Sequence, residues 1–396
     1  MSVIASCSRR LRINAKSSLS PAVSLLLRSG SGGTLSSSCP SSSSPWKLSE
    51  TQNSFTTLSS PSLLTTTNTT GHLDRRIFAS LKSADKYHRA FSSSGEGEDE
   101  TEEVEPRETM AFDVLIVGGG PAGLASAIRL KQLCLEKGQD LSVCLIDKGS
   151  EIGAHILSGN VFDPKAIKEL FPDIADTWTQ VYQDEQPGAH ATPVENDQFS
   201  ILTESGGMYT IPNFLLPSQL HNHGNYIISL SQLCRWLATK AEELGVEIYP
   251  GFAASEVLID EKNGGGVKGI ATRDVGIGKD GSPKPTYERG VELHARQTLF
   301  AEGARGSCSE FLMEHFKLRD GGDVHPQTYG LGIKEVWEVP EETFQKGLVQ
   351  HTLGFPLQTK INDDVFGGTF LYHQEPNLVL VGLVIGLDYS NPHINP

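Results

Sequence analysis

The sequence predicts an α/β protein with a Rossmann-type dinucleotide-binding domain, because three local patterns follow one another in the order that such a domain requires. Apolar and β-branched residues at 112–117 predict a buried parallel strand. The glycine-rich segment 118–123 comes next and opens a run of helical periodicity that ends at Gly138. A second apolar run, 141–146, predicts the neighbouring strand. Together these elements form the first unit of a parallel sheet.

The glycine-rich segment has a physical reason for each of its small residues. Gly118 permits a tight turn, Gly120 lets the backbone approach a pyrophosphate, and Gly123 lets helix and strand pack closely. The free N–H groups and positive dipole at the helix start favour phosphate. Asp147, at the tip of the second strand, is placed to accept a ribose hydroxyl, and a purely structural glycine turn is the alternative. The predicted dinucleotide contacts are Gly118, Gly120, Pro121, Ala122, Gly123 and Asp147.

Two motifs favour FAD over NAD as the dinucleotide. The Gly-Gly-Gly-Pro-Ala-Gly form of residues 118–123 resembles the glutathione-reductase-like flavoproteins. Residues 297–306 resemble the second FAD motif of that group, an apolar strand that ends in a small-acidic-Gly turn. The resemblance implies Glu302 and Gly303 as further FAD contacts.

The first ninety-one residues predict a targeting leader. They contain eleven Lys or Arg but only three Asp or Glu, and they are rich in Ser, which is typical of an organellar transit peptide. The sequence around Arg89 and Phe91 resembles a mitochondrial processing site, so we expect a mature start near Ser92. Eight acidic residues between 96 and 108 predict a solvated linker over 92–111. An untargeted disordered tail is the alternative for the leader.

Charge and cysteine usage limit the possible partners. Residues 92–396 carry 22 Lys and Arg against 45 Asp and Glu, a balance that repels nucleic-acid phosphates. No two of the six cysteines form a C-x-x-C pair, which argues against a disulfide framework or a metal site and for a reducing compartment. No run of eighteen apolar residues occurs, so we expect no membrane span.

Six further segments carry a more specific resemblance: 152–159, 223–227, 272–277, 326–332, 366–373 and 382–389. Together they resemble the electron-transfer flavoprotein–ubiquinone oxidoreductases of the mitochondrial inner membrane. This resemblance covers residues 112–396 and implies electron transfer from reduced electron-transfer flavoprotein, through FAD, to ubiquinone at the matrix face. It also implies a role in the oxidation of fatty acids and amino acids. Electron transfer of this kind requires no side chain that acts as a base, so we expect no catalytic residue.

The resemblance also assigns a quinone site and a membrane contact. Gly367 and Gly368 match a glycine pair whose backbone faces the ubiquinone headgroup, although a β-bulge would explain the same pair. Segment 152–173 matches a monotopic membrane contact, in which Phe171 would protrude, although ordinary core packing would give the same pattern. The predicted membrane-associating residues are Val161, Phe162, Ile167, Leu170 and Phe171.

The expected domain order follows from the same resemblance. Residues 112–210 and 211–310 form the FAD domain, which is interwoven with a β-rich ubiquinone-binding domain at 311–396. We expect the fold to be incomplete at the C-terminus, because members of the family continue further and carry a [4Fe-4S] cluster whose four cysteines have no counterpart here. Asp147 and Phe366 stand where the family often has Glu and Tyr. In place of Tyr, Phe366 removes a hydroxyl near the quinone.

Two other functions stay open at this point. A flavin-dependent reductase or hydroxylase of lipid-like substrates shares the FAD motifs but draws hydride from NAD(P)H. An inactive splice form or incomplete gene product is compatible with the same family. Helix and hairpin signals between the motifs, such as Ser231 as the cap of a helix ending at Gly245, predict only core packing.

Overall fold

A computed structural model describes residues 106–157, 159–321, 324–359 and 364–394. The predicted leader, 1–91, lies outside the described residues, as does the linker up to residue 105. The first strand begins at Thr109, so the end of the segment predicted as linker, 92–111, already belongs to the sheet. Just before this strand, Arg107 forms an ion pair with Glu256 at 2.9 Å.

The described residues form two six-stranded sheets, two small sheets and five α-helices, with five short 3-10 helices between them. The α-helices are α1 (Pro121–Lys137), α2 (Lys165–Leu170), α3 (Trp178–Glu185), α4 (Leu230–Glu243) and α5 (Ser307–His315). The strands are β1 (Thr109–Val117), β2 (Val143–Asp147), β3 (Asn160–Phe162), β4 (Ala191–Pro193), β5 (Asn196–Leu202), β6 (Met208–Ile211), β7 (Tyr226–Ile228), β8 (Val246–Pro250), β9 (Ala254–Asp260), β10 (Gly266–Thr272), β11 (Val275–Ile277), β12 (Pro283–Glu288), β13 (Glu292–Phe300), β14 (Gly330–Glu338), β15 (Leu348–Gly354), β16 (Gly367–Gln374) and β17 (Leu378–Gly386).

The first sheet has the order β8-β2-β1-β13-β10-β9, and its first four strands are parallel. Val117 at the end of β1 lies opposite Ile146 on one side and Phe300 on the other. The carboxyl ends of β1, β2 and β13 therefore meet at one edge. This arrangement confirms the predicted Rossmann-type fold.

Helices α1 and α4 pack together against this sheet. Leu124 and Ile128 of α1 and Leu233 of α4 are fully buried, because residues three and four apart share one face of a helix. Helix α4 is capped by Ser229, whose hydroxyl accepts the N–H of Gln232 at 3.3 Å. The prediction of Ser231 as the cap was therefore wrong by two residues.

The second sheet joins distant parts of the chain. Its order is β14-β17-β16-β15-β5-β6, and β5 pairs in parallel with β15 although about 150 residues separate them. The predicted first part of the FAD domain, 112–210, therefore includes residues that lie in the second sheet, because strand pairing and not chain order decides which sheet a segment joins. The mixed α/β fold with an interwoven β-rich sheet is confirmed.

Several apolar side chains of the segment predicted to contact a membrane pack on the protein's own core, and the membrane contact itself stays a prediction. Helix α2 spans six residues and ends before Phe171, whose ring centroid lies 5.3 Å from that of Trp236. Ile167 is 4% exposed, and the ring of Phe162 packs edge-on against Trp178. The prediction that Phe171 protrudes was wrong, because helices α3 and α4 supply aromatic partners that a local pattern cannot reveal. No helix in the described part of the chain is long and apolar enough to cross a bilayer.

The packing of Phe171 predicts a stability effect. Phe171→Ala removes a half-buried ring from the aromatic core and should lower the free energy of unfolding by about 2 kcal/mol. Ala166→Ser, at an exposed position of the preceding helix α2, should change it by less than about 0.5 kcal/mol. Urea unfolding followed by circular dichroism compares the two variants, and equal stabilities would contradict this packing.

Candidate functional site

The turn between β1 and α1 is fixed by backbone contacts that exclude side chains. Gly118 has φ +112°, and a Cβ at this position would lie 2.5 Å from the carbonyl oxygen of Ala301 at the end of β13. A Cβ on Gly123 would lie 2.0 Å from the carbonyl oxygen of Gly118. Both glycines are therefore required for the strands and helix to approach one another, as the sequence predicts.

Gly120 differs from its neighbours because the space in front of it is open. No described atom lies within 4 Å of a Cβ built at Gly120. Helix α1 begins directly after it with Pro121, which has no N–H to satisfy, and no described side chain caps the helix. The unpaired N–H groups and the positive end of the dipole of a 17-residue helix therefore face a free cradle, which suits a diphosphate.

Asp147 holds the glycine turn in shape. Its Oδ2 accepts the N–H of Gly119 at 2.8 Å, and its Oδ1 accepts the N–H of Gly149 at 2.7 Å. Each carboxylate oxygen keeps a second lone pair, so these bonds are compatible with a ribose contact. The described geometry gives Asp147 a positioning role in addition to the predicted contact with ribose, which stays a prediction.

The second dinucleotide motif follows β13 at the same edge of the sheet. The N–H of Ala301 donates to the carbonyl of Val117 at 2.8 Å, so the motif lies beside the glycine turn. The carboxylate of Glu302, however, accepts the N–H and the hydroxyl of Ser309, both at 2.7 Å, and thereby caps helix α5. Exposed Gly303 is the part of this motif that the structure leaves open to a ligand.

The glycine pair of β16 lies within the second sheet. A Cβ on Gly368 would lie 2.0 Å from the carbonyl oxygen of Thr352 on β15, and one on Gly367 would lie 2.3 Å from that of Val384 on β17. Close approach of the strands therefore requires glycine at both positions, whatever else binds there. A substitution at either position would disturb the sheet, so it would not isolate a quinone contact.

Sequence reasoning missed an exposed apolar patch at the edge of the second sheet. Phe214 is 83% exposed and Tyr209 is 69% exposed. Phe355 borders Leu202, which pairs with Met208. The apolar run between Ile211 and Pro217 was a signal that could have indicated it. We define the apolar patch as Tyr209, Phe214, Leu353 and Phe355. Met208 points to the other face of the sheet, where its Sδ lies 3.5 Å from Nε2 of Gln350.

Sequence reasoning also missed polar groups on the face of the second sheet. Lys334 on β14 donates to the carbonyl of Gly159 at 3.3 Å, and burial lowers the pKa of this lysine to about 8. His351 on β15 forms a hydrogen bond with the hydroxyl of Tyr372 at 2.8 Å. No motif pointed to these residues, because strand pairing alone brings them together.

The cysteines of the described chain do not fit a metal cluster. Cys134, Cys144, Cys234 and Cys308 are all buried, and burial raises the pKa of the last three to about 12. Ligation requires thiolates. Among the described residues, no group of three or more His, Cys, Asp or Glu side chains could hold a metal ion.

Comparisons with known proteins agree with this architecture. A family model described as "ETF-QO, ubiquinone-binding" matches residues 329–396, and one described as "NAD(P)-binding Rossmann-like domain" matches residues 116–199. The electron transfer flavoprotein-ubiquinone oxidoreductase of Dictyostelium discoideum is 52% identical over 316 residues, which are 80% of this chain and 48% of that protein. The enzyme of the same name from Pseudomonas aeruginosa is 53% identical over 292 residues, 73% of this chain and 50% of that protein.

The chain belongs to the electron transfer flavoprotein-ubiquinone oxidoreductase family. It spans about half the length of the curated relatives it matches. Among solved structures, a flavin-dependent monooxygenase, PieE, in complex with FAD and substrate, matches with a TM-score of 0.44 and 17% identity, covering 72% of this chain and 44% of that one.

The contacts of the glycine turn predict a large loss of stability for a substitution at Gly118 and almost none for one at Gly120. Gly118→Ala should lower the free energy of unfolding by more than about 2 kcal/mol, because the added methyl meets the Ala301 carbonyl at a positive φ. Gly120→Ala should leave the stability of the ligand-free chain within about 0.5 kcal/mol, because its methyl enters open space. Thermal and urea unfolding of the ligand-free variants measure both, and a destabilised Gly120→Ala variant would contradict an open cradle.

Proposed function

We propose that this chain binds FAD at the glycine turn and carries electrons from reduced electron-transfer flavoprotein to ubiquinone at the matrix face of the mitochondrial inner membrane. The single observation that carries the proposal is the open, positively polarised cradle at Gly120, in a chain whose residues 329–396 match a ubiquinone-binding family model. The names of relatives about 52% identical supply the donor and the acceptor, and several of those names are mitochondrial.

The residues present fit FAD at the edge of the first sheet. The diphosphate would lie against Gly120 and the first turn of α1, where Pro121 and Ala122 leave room for it. The ribose would lie beside Asp147, whose carboxylate already orders the turn. Bound flavin would supply the capacity to take up and release electrons singly or in pairs. The chain's contribution is to bind, orient and bury the cofactor.

The proposed quinone site lies on the second sheet, at Gly367 and Gly368. Across β15, the side chain of Leu353 lies beside Gly368, with its Cδ2 3.2 Å from the position of a Cβ. Leu353 in turn lies opposite Ile201 of β5 and belongs to the apolar patch. A side-chain-free backbone next to an apolar row suits a planar ring with an isoprenoid tail.

The apolar patch is the proposed membrane contact, in place of segment 152–173. The chain is acidic, with a formal net charge of −15, so anionic lipid headgroups do not attract it in general. Attachment would therefore depend on the burial of exposed rings such as Phe214 and Tyr209. In this proposal, the membrane would lie at the end of the apolar row that runs from Tyr209 through Ile201 and Leu353 to Gly368.

The proposal includes no electron path through an iron–sulfur cluster. The family resemblance implies a [4Fe-4S] cluster, but the four buried and separate cysteines of the described chain do not fit one. The proposed path within this chain is therefore from donor to flavin and from flavin to quinone.

FAD binding and electron entry can be tested on the full 396-residue chain. After incubation with FAD and desalting, the protein should keep a flavin spectrum that reduced electron-transfer flavoprotein bleaches under anaerobic conditions and ubiquinone-1 restores. Gly120→Ala should weaken FAD binding by about tenfold or more, because its methyl occupies the diphosphate space while the fold is kept.

The other outcomes of this experiment separate the alternatives. A chain that stays colourless would contradict the proposed cofactor. Bleaching by NADH or NADPH would favour a nicotinamide-dependent reductase or hydroxylase. Retained flavin that electron-transfer flavoprotein does not reduce would favour an inactive product of the same family.

The apolar patch predicts lipid binding that depends on its two most exposed rings. The double variant Tyr209→Ser/Phe214→Ser should weaken sedimentation with phosphatidylcholine vesicles by about tenfold, since each ring contributes on the order of 1 kcal/mol when it is buried. Leu135→Ser, at a 69% exposed leucine outside the patch, is the matched control and should bind as before. Equal binding by all three proteins would place the membrane contact elsewhere.

A further inference from the structure

The side chains next to the proposed quinone site form ordered rows across the second sheet. Thr352 pairs with Thr369, so Leu353 lies opposite Gly368 and His351 lies opposite Phe370. Side chains two residues apart on a strand point to the same face. His351 therefore points to the same face of the sheet as Leu353. It lies two residues before Leu353 on β15, which is about 7 Å along the strand from the row of Leu353 and Gly368.

His351 and Tyr372 form a polar pair within apolar surroundings. The His351 Nε2 and the Tyr372 hydroxyl are 2.8 Å apart, and Tyr372 is 8% exposed. The ring of Tyr372 stacks on Phe370 at 4.8 Å and belongs to the same hydrophobic cluster as Val349. Burying such a pair costs free energy that an apolar pair would not, so its presence needs a reason.

The surroundings of His351 keep its imidazole neutral. Burial lowers the pKa of His351. The carboxylate of Asp197 opposes this shift; it lies on β5, two residues before Phe199, which is opposite His351. The Asp197 carboxylate is itself held by the N–H and the side-chain amide of Asn222, at 2.7 and 2.9 Å. The row of His351 continues across the sheet through Phe370 on β16 and Gly382 on β17. It ends at Lys334 on β14, which is the other ionisable side chain of this row. A neutral imidazole can release a proton from one nitrogen and accept one at the other.

Reduction of a quinone needs protons as well as electrons. Each quinone takes up two electrons and two protons to become a quinol. When the quinone ring lies against the sheet, protons can reach its carbonyl oxygens only through groups of the protein. The flavin of the proposed function supplies the electrons. The side chains next to Gly368 in the row of Leu353 and Ile201 are apolar, and the nearest hydroxyl of that row, on Tyr209, lies beyond Ile201 at the exposed edge.

We propose that His351, reloaded by Tyr372, delivers protons to the quinone bound beside Gly368. This inference rests on the proposed function. As the quinone gains an electron, Nδ1 of His351, which does not face Tyr372, loses its proton to a quinone oxygen while Nε2 takes the hydroxyl proton of Tyr372. The tyrosinate takes a proton from water, and exchange of the imidazole proton from Nε2 to Nδ1 through water restores the starting tautomer. A second round, with the second electron, then completes the quinol.

The test compares a proton-coupled acceptor with one that takes electrons alone. The flavin of the full chain is reduced photochemically without oxygen and mixed in a stopped-flow instrument with ubiquinone-1 or with ferricenium. Tyr372→Phe keeps the stacking ring and removes only the hydroxyl, and His351→Gln removes the exchangeable imidazole. Both variants should slow oxidation by ubiquinone-1 by about 100-fold while oxidation by ferricenium is unchanged.

Two further measurements distinguish proton delivery from a packing role. Equilibrium binding of ubiquinone-1 to the oxidised variants should be unchanged, because neither side chain is proposed to hold the ring. Nitrogen NMR of labelled histidine should show a neutral His351 at pH 7 in the unaltered chain. Tyr287→Phe, which removes a tyrosine hydroxyl bonded to Asp274 on the β11–β12 hairpin, is the control and should react as the unaltered chain does.

Each remaining outcome overturns the inference in a recognisable way. Variants that reduce ubiquinone-1 at the original rate would show that the pair carries no protons. Equal slowing with both acceptors, or lost quinone binding, would show that the pair only supports the fold. If the unaltered chain reduces ferricenium but never ubiquinone-1, the proposed function itself fails and this inference fails with it.

Discussion

At the end of β1, three backbone segments lie so close together that side chains have no space between them. A Cβ at Gly118 would meet the Ala301 carbonyl at 2.5 Å, and one at Gly123 would meet the Gly118 carbonyl at 2.0 Å. Asp147 binds the remaining N–H of the turn, at Gly119, and so joins β2 to the same point. Because these contacts fix where α1 begins, they also fix the direction of its dipole and the position of the open cradle at Gly120.

Local patterns predicted the parts of the structure whose contacts are local. The β1–α1–β2 unit was correct because strand runs, helical spacing and glycines report directly on neighbouring residues. The packing of Phe171 was not predictable in the same way, since its partner Trp236 lies far along the chain. The same amphipathic pattern occurs in segments that bind a membrane and in segments that pack on a protein core. The capping role of Glu302 was missed because an acidic residue after a strand fits a ligand contact and a helix cap equally well.

The second sheet sets the chemistry of the site through strand pairing that no local pattern contains. The parallel pairing of β5 with β15 places the apolar side chain of Ile201 opposite Leu353, and Asp197 opposite Val349. The row of Ile201 and Leu353 is therefore apolar next to Gly368, whereas the two rows beside it mix apolar side chains with Asp197, His351 and Tyr372. In the proposed function, a hydrophobic tail would lie along the first row and a proton-exchanging pair would reach the ring from the others.

Gly368 shows how a fold requirement and a ligand site can depend on the same residue. The strand β15 approaches so closely that glycine is needed there with or without a quinone, as the 2.0 Å distance to the Thr352 carbonyl shows. Without a side chain of its own, Gly368 leaves its backbone to the proposed quinone, between Leu353 and Val384 in one row and beside Phe370 and His351 in the next. The constraint that makes the glycine hard to substitute therefore also shapes the proposed site, and function at this position is better tested through its neighbours.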